Sequence, residues 1–527
     1  MSSMEKSEGR GIRLLKKGQK GFWKLIFSRT GVVTLVLMVQ IVLLLWGFWA
    51  FEEHFPHVVG LYTAFSIFMV LLLFSSREEP TVKLTWLVVI MVAPVAGSLF
   101  YLFTKSEIGH RVLRRRLQEL HRDSRNLLTQ CRKTQQELRR ENPGAANLTQ
   151  YVSRHGSHPV YAGTDVTYFP CGEAKFEALL QELEQAERFI FLEYYIVDEG
   201  KMWGRILEIL ARKAQQGVDV RVMYDGTCEF YLLPRDYPQR LARLGIRCKP
   251  FSPVRPFLST HYNYRDHRKI LVIDGKTAFC GGVNLADEYI NQVPRFGHWK
   301  DTALMLKGQA VNSFTLMFLQ MWNVNERETD PSAFLTPPHT GESRCRGFVM
   351  PYGDSPLDRE RVGEQVYLDL LNRASSSVRI MTPYLILDDA MEHALCYAAQ
   401  RGVQVQLIVP GIADKKTAYA LAKTHFASLL EAGVELYRYD PGFVHAKSFV
   451  CDGQEAVVGT INLDYRSLYH HFECAVWMYG VDAVADIEAD FRETRDKCTR
   501  ITPDMVAREK WTVRLAGFLL KFLAPLL

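Results

Sequence analysis

His267-Arg-Lys-Ile-Leu-Val-Ile-Asp-Gly275 and His445-Ala-Lys-Ser-Phe-Val-Cys-Asp-Gly453 are two copies of one pattern, His-x-Lys-x-x-x-x-Asp. The agreement runs further: Gly281 and Gly459 each lie 14 residues after their histidine, and Asn284 and Asn462 each lie 17 after. One such match is a weak motif, whereas two in a shared frame point to a duplicated unit. In each copy a short apolar run leads into Asp-Gly and a second apolar run, the pattern of a tight hairpin. Residues i and i+2 of a strand share a face, so His267 with Lys269, and His445 with Lys447, are expected to point the same way. Two imidazoles and two ammoniums facing each other suit a substitution at phosphorus. The imidazoles supply a nucleophile and an acid, and the ammoniums hold the negative charge. A lone histidine is usually a packing residue, and the repeated frame is what sets these two apart.

The surroundings repeat as well. Strand-like Phe189–Tyr195, a helix over 204–216 and strand-like Val218–Tyr224 precede His267, while Val378–Tyr384, a helix over 390–400 and Val403–Val409 precede His445. The helix-to-strand joints match, Ala214-Gln-Gln-Gly-Val218 against Ala399-Gln-Arg-Gly-Val403. This order implies an α/β class with two tandem domains, 161–328 and 347–500, joined by a Pro- and Thr-rich connection over 329–346.

The chain of 527 residues has room for membrane segments besides two domains. Three apolar stretches, Val32–Phe51, Val58–Phe74 and Leu84–Phe103, each have about the length of a bilayer-spanning helix. The first is too long for a removable signal peptide and is expected to be retained. The region 31–104 is therefore expected to carry two or three transmembrane helices. The net charge of +6 is uneven, with Lys and Arg crowded into a cytoplasmic N-terminus over 1–30 and a helical linker over 105–160. Both basic blocks favour the cytoplasm, so one apolar stretch is expected not to cross: either the third, with Pro94 and Gly97, is re-entrant, or the first lies along the surface. The same blocks serve equally well to touch anionic headgroups. The segment 501–527 alternates basic and apolar residues, and two readings stay open for it: an amphipathic helix on a membrane, or packing on the enzyme. Ten cysteines lie scattered without a C-x-x-C pair, as reduced core residues do, so a reducing compartment is expected and a metal site is not.

The two motifs, together with Gly281-Gly-Val-Asn284, Asp287-Glu-Tyr289, Gly459-Thr-Ile-Asn-Leu-Asp-Tyr-Arg-Ser467 and, far upstream, Glu79-Pro-Thr-Val-Lys-Leu-Thr-Trp86 with Pro94, Gly97 and Tyr101, resemble the phospholipase D superfamily. Within it they resemble the bacterial cardiolipin synthases, from about residue 57 to the C-terminus. The resemblance implies two phospholipase D-like α/β domains that form one pseudo-twofold active site behind N-terminal transmembrane helices, in a multi-pass protein of the bacterial cell membrane with cytoplasmic catalytic domains. It also implies the chemistry: one phosphatidylglycerol gives its phosphatidyl group to a histidine with loss of glycerol, and a second takes it up to form cardiolipin, without nucleotide, metal or other cofactor. Phosphatidylglycerol and anionic lipids would be the partners, and nucleic acid would not. His267 is the expected nucleophile and His445 the acid and base. Lys269, Lys447, Asn284 and Asn462 would bind the phosphate oxygens. Asp301 and Glu473, each following its own histidine, would orient the imidazoles. Asp274 and Asp452 complete the catalytic signature, but stand before Gly at a hairpin turn, where a structural role is expected. The chain departs from the family at His471, where Asn is more usual before Phe-Glu. A membrane-bound phospholipase D hydrolase, a transferase using another donor lipid, and a nuclease are the alternative activities.

Overall fold

In both Asp-Gly hairpins the two central residues carry positive φ, 55° and 68° at Asp274 and Gly275, 53° and 64° at Asp452 and Gly453. That left-handed pair matches the twist of the flanking strands, which is why Asp-Gly stands there twice. The computed structural model describes residues 42, 55–76, 78–105, 108–253, 264–326, 330–337, 345–358 and 360–524. They divide into two units, one within 15–108 and one from 109 to 525. The basic segment 1–30 and, apart from Val42, the apolar stretch Val32–Phe51 lie outside the described residues.

Among its described residues the smaller unit includes the helices α1 (Phe55–Ser75), α2 (Pro80–Val92) and α3 (Pro94–Lys105). Met69, Leu73, Trp86, Ile90 and Tyr101 form its core, with Trp86 edge-on to Tyr101 at 5.3 Å between ring centroids. The expected single helix over Leu84–Phe103 is two helices, because Pro94 has no N–H to continue the ladder. Gly97 lets the two approach: a Cβ there would stand 2.5 Å from the Val89 carbonyl oxygen. Among the described residues no helix is long and apolar enough to cross a membrane.

The larger unit opens with α4 (Ile108–Ser124), α5 (Arg132–Glu141) and α6 (Pro143–Gly156). Asn142 caps α6 by accepting from the Ala145 N–H at 3.0 Å, with Pro143 at the first helical position. The stretch read as a linker is built into the enzyme: Leu138, Ala145, Leu148 and Val152 belong to the core of the second half, and Leu117 to the core between the halves.

Two sheets follow. The first contains β1 (Asp165–Phe169), β2 (Phe189–Tyr194), β3 (Asp219–Asp225), β4 (Arg247–Phe251), β5 (Lys269–Ile273), β6 (Thr277–Gly281) and β7 (Ala303–Lys307), in the spatial order β1-β7-β6-β5-β2-β3-β4. The second contains β8 (Phe348–Asp354), β9 (Ser377–Met381), β10 (Gln404–Pro410), β11 (Glu435–Tyr439), β12 (Ser448–Cys451), β13 (Glu455–Gly459), β14 (His471–Tyr479) and the edge strand β15 (Cys498–Arg500). Its order, β8-β14-β13-β12-β9-β10-β11-β15, repeats that of the first and adds β15. Parallel pairs β2–β3 and β9–β10 are joined through the helices Lys201–Gln215 and Asp389–Gln400, as a parallel crossover requires. Residue 161, expected to begin the first domain, instead sits in a two-residue strand, Tyr161–Ala162, on the edge of the second sheet.

One apolar core joins the halves. Ile270, Val272, Cys280 and Leu304 from the first sheet pack in the same cluster as Val450, Val458, Cys474 and Val476 from the second. Two short parallel pairings add to it. Arg265–Asp266 pairs with His471–Phe472, and His298–Lys300 pairs with Gly442–Val444. Each half thus lends a strand to the other immediately before its motif histidine.

Candidate active site

Those borrowed strands place the histidines. The His267 N–H donates to the Phe472 carbonyl at 2.9 Å, and the His445 N–H to the Lys300 carbonyl at 2.7 Å. The next residue on each partner strand is a buried carboxylate, Glu473 and Asp301. His267 Nδ1 lies 2.9 and 3.0 Å from the two Glu473 oxygens, and His445 Nδ1 lies 2.6 Å from Asp301 Oδ2. The expected residues are therefore together with their partners exchanged: the carboxylate that holds each imidazole comes from the opposite half. Separation along the chain pairs Asp301 with His267, whereas the exchanged strands pair it with His445.

A carboxylate on Nδ1 makes that nitrogen the proton carrier and leaves Nε2 with its lone pair. Lys447 Nζ also stands 2.9 Å from His445 Nδ1, but the shorter contact with Asp301 requires the proton there. Glu473 is itself fixed by the Ser467 hydroxyl at 2.5 Å and by the Thr460 hydroxyl. Asp301 is fixed by the Thr302 N–H at 2.8 Å and fits only because residue 282 is glycine: a Cβ there would lie 2.0 Å from Asp301 Oδ1. Ser467 and Thr460 had no assigned role in the sequence, although both lie inside the quoted Gly459–Ser467 motif.

Lys269 and Lys447 are buried, and each donates to the main-chain carbonyl of the histidine two residues before it. Burial lowers the Lys269 ammonium to about 8 and that of Lys447 to about 7, against the pull of nearby carboxylates. Burial, followed by the charges of Lys269 and Lys447, also holds His267 well below its ordinary range. For His445, burial and Lys447 outweigh Asp301 and bring the imidazole down to about 4. A phosphate anion beside the two lysines would favour their charged forms. Lys175, a third buried amine missed by the motif search, bonds to Tyr194 Oη and the Val283 carbonyl at 3.2 Å each, with burial lowering it to about 7.

Aromatic rings line the two histidines asymmetrically. Tyr195 and His471 flank His267 at 5.0 and 5.3 Å between ring centroids, whereas Tyr289 and Trp299 flank His445 at 5.4 and 5.3 Å. His471 therefore holds the place on one side that Trp299 holds on the other. Asn284 bridges the Ile196 N–H at 3.0 Å and the Tyr289 hydroxyl at 2.8 Å, and Asn462 donates to Asp464 at 3.1 Å.

Asp274 and Asp452 stand apart from these groups. Asp274 accepts from the backbone N–H groups of Glu187, Arg188 and Phe189, and Asp452 from those of Ser375, Ser376 and Ser377, all at 2.8 to 2.9 Å. They clamp each hairpin to the start of the adjoining strand. Their place in the catalytic signature is thus structural.

Among the described residues, His267, His471 and Glu473 are the group with the donor types and spacing to hold a metal ion. The neighbouring ammoniums of Lys269 and Lys447 oppose a cation there, and the same carboxylate is already bonded to His267.

Comparison with known proteins follows the same lines. The family model for the cardiolipin synthase, PLD-like domain matches residues 179–322 and 367–495, more than half of the chain, and the phospholipase D-nuclease N-terminal model matches 61–105. An uncharacterized protein of Streptococcus mutans serotype c is 53% identical over 458 residues, covering 87% of this chain and 99% of that protein. The cardiolipin synthase of Geobacillus kaustophilus is 34% identical over 506 residues, covering 94% and 99%. In fold the chain is similar to the phosphatidylserine synthase of Haemophilus influenzae, with a TM-score of 0.53 at 15% identity over 72% of this chain and 97% of that one. By motif, duplicated sheet and full-length similarity, the chain belongs to the cardiolipin synthase family of phospholipase D-like proteins.

Proposed function

We propose that the chain is a membrane-associated phosphatidyltransferase that makes cardiolipin from two molecules of phosphatidylglycerol. The observation that carries the reading is the crossed pair of carboxylate-bound histidines beside two buried lysines, which supplies a nucleophile, an acid and a cradle for a phosphodiester.

His267 Nε2 attacks phosphorus. The bond from phosphorus to the glycerol oxygen breaks, and the His445 imidazolium gives its Nε2 proton to the departing glycerol. A second phosphatidylglycerol then offers its free hydroxyl. His445 Nε2 takes the hydroxyl proton, the new oxygen–phosphorus bond forms, and the nitrogen–phosphorus bond breaks to return His267. One phosphodiester replaces another, so no nucleotide enters the balance. Lys269 and Lys447 hold the non-bridging oxygens as charge grows on them, and the N–H that each of Asn284 and Asn462 does not use elsewhere completes the set. Bound phosphate, by its charge, raises His445 from about 4 toward the range in which it carries the proton it must donate. Exclusion of water from the phosphohistidine separates transfer from hydrolysis.

Multi-pass insertion through 31–104 with cytoplasmic catalytic domains is the topology that fits the basic flanks. The experiment is incubation of the purified chain with phosphatidylglycerol and chelator, following lipid products and glycerol beside a His267→Ala control. Cardiolipin with equimolar glycerol, absent from the control, is the expected result. Phosphatidic acid in its place would make the enzyme a hydrolase.

A further inference from the structure

The C-terminal helix has two apolar faces. Of the last helices, α7 spans Lys416–Ala422 and α8 spans Trp511–Leu523. With one face α8 packs on the enzyme: Gly517 is buried so closely that a Cβ there would lie 2.8 Å from the Ala420 carbonyl oxygen of α7, and Leu520 and Ala524 join a small core with Leu421 and Tyr465. The other face turns outward, with Trp511 73%, Leu515 48%, Phe518 72% and Leu519 57% exposed. Positions 511, 515, 518 and 519 fall on one side of a helix, where a surface helix ordinarily carries charge. Here that side is apolar.

Within the segment from Lys510 onward the charges have one sign. No acidic residue occurs between Lys510 and Leu527, while Lys510, Arg514 and Lys521 do. An exposed apolar stripe rimmed by cations is the pattern of a helix lying in the plane of an anionic lipid surface. The element under α8 gives that placement a purpose. With Tyr384, Pro410 and Phe443, residues Ala418 and Tyr419 of α7 line a mainly apolar crevice that also holds Lys415 and Asp414. The ring of Phe443, one wall of this crevice, lies 5.8 Å from that of His445. Lys415 contributes to the positive field on His267.

We infer that α8 is an interfacial helix that seats this side of the enzyme on an anionic phospholipid bilayer, so that the lipid substrate is presented from the surface on which α8 lies. The inference rests on the lipid-transferase reading above and adds the surface through which the lipid arrives. The uniform positive sign selects the occupant, since a lipid surface supplies both the apolar layer and the phosphates.

The test uses the full chain reconstituted in vesicles of phosphatidylglycerol and phosphatidylcholine, with Leu515→Ser, Phe518→Ser and Leu519→Ser combined in one variant. Turnover of long-chain phosphatidylglycerol at limiting mole fraction is expected to fall at least about ten-fold, while turnover of monomeric dihexanoyl phosphatidylglycerol is unchanged. Unchanged bilayer turnover overturns the inference, and so does an equal loss on both substrates, which would give α8 a role in folding or in binding a protein. Docking is also read without catalysis, which separates failure of the inference from failure of the transferase reading. Brominated phosphatidylglycerol should quench the fluorescence that the parent has in excess of Trp511→Phe; absence of that quenching overturns the docking even where the enzyme is active.

Discussion

Glu473 of the second half accepts the Nδ1 proton of His267 of the first, at 2.9 and 3.0 Å, and Asp301 answers across the same divide to His445 at 2.6 Å. Neither motif histidine therefore takes its carboxylate from its own half. Glu473→Gln and Asp301→Asn should each lower kcat on phosphatidylglycerol by about 10²- to 10⁴-fold with the fold intact, because an amide no longer fixes the productive tautomer. A loss under about three-fold in either variant would show that the carboxylates are bystanders.

The lysines set the pH behaviour. Burial lowers Lys447 to about 7 and Lys269 to about 8, so they lose their protons as pH rises through that range. A bound phosphodiester favours their charged forms and raises both. The alkaline limb of kcat/KM, which reports the free enzyme, should accordingly fall between about pH 7 and 8, and that of kcat should lie higher. Coincident limbs would mean that these amines do not meet the phosphate.

Asp274 and Asp452 should matter for stability and not for chemistry. Asp274→Ala leaves three backbone N–H groups without their acceptor and is expected to cost about 2 kcal/mol or more in denaturant unfolding, with kcat of the folded fraction unchanged. For Asp452, burial works against the charged form, but the N–H groups of Ser377, Ser376 and Ser375 hold the carboxyl at about 2, below its usual 3.8. Its folded value is depressed, so its contribution is complete above about pH 4 and is lost as pH falls toward 2. The melting-temperature gap between the parent and Asp452→Asn should close over that window, and a gap independent of pH would contradict the assignment.

Behind His445 lies a buried ion pair that the motif search did not reach. Lys300 Nζ bonds to both oxygens of Asp490 at 2.7 and 2.8 Å, and the Tyr168 hydroxyl donates to Asp490 at 2.6 Å. The Lys300 carbonyl is what the His445 N–H holds. Asp490→Ala strands a buried ammonium and should destabilise the protein by about 3–5 kcal/mol, measured by urea unfolding. A change under about 1 kcal/mol would place this pair in the class of exposed surface bridges.

The hairpins, the duplicated order of strands and helices, and the histidines and lysines of the site were legible because each rests on local pattern: alternation, Asp-Gly turns and a fixed frame after each histidine; the carboxylates were legible only through the family resemblance. The exchange of partners was not. Asp301 follows His267 by 34 residues and Glu473 follows His445 by 28, and nothing in that spacing says that Arg265–Asp266 and Gly442–Val444 each pair with the opposite half. The packing of α5 and α6 into the second core was equally hidden, since short helices with a single leucine each read alike as linker or as layer. Lys175 carries no motif at all, and only the packing of the fold shows that it is buried.

The most direct measurement is intact-mass analysis of the full chain after rapid mixing with phosphatidylglycerol and an alkaline denaturing quench that preserves phosphohistidine, in the parent, His267→Asn and His445→Asn. A phosphatidyl adduct on the His267 peptide, formed by the parent and absent from His267→Asn, is the predicted result. An adduct that survives in His267→Asn and maps to His445, or turnover of the lipid with no adduct in any of the three, would contradict transfer through His267.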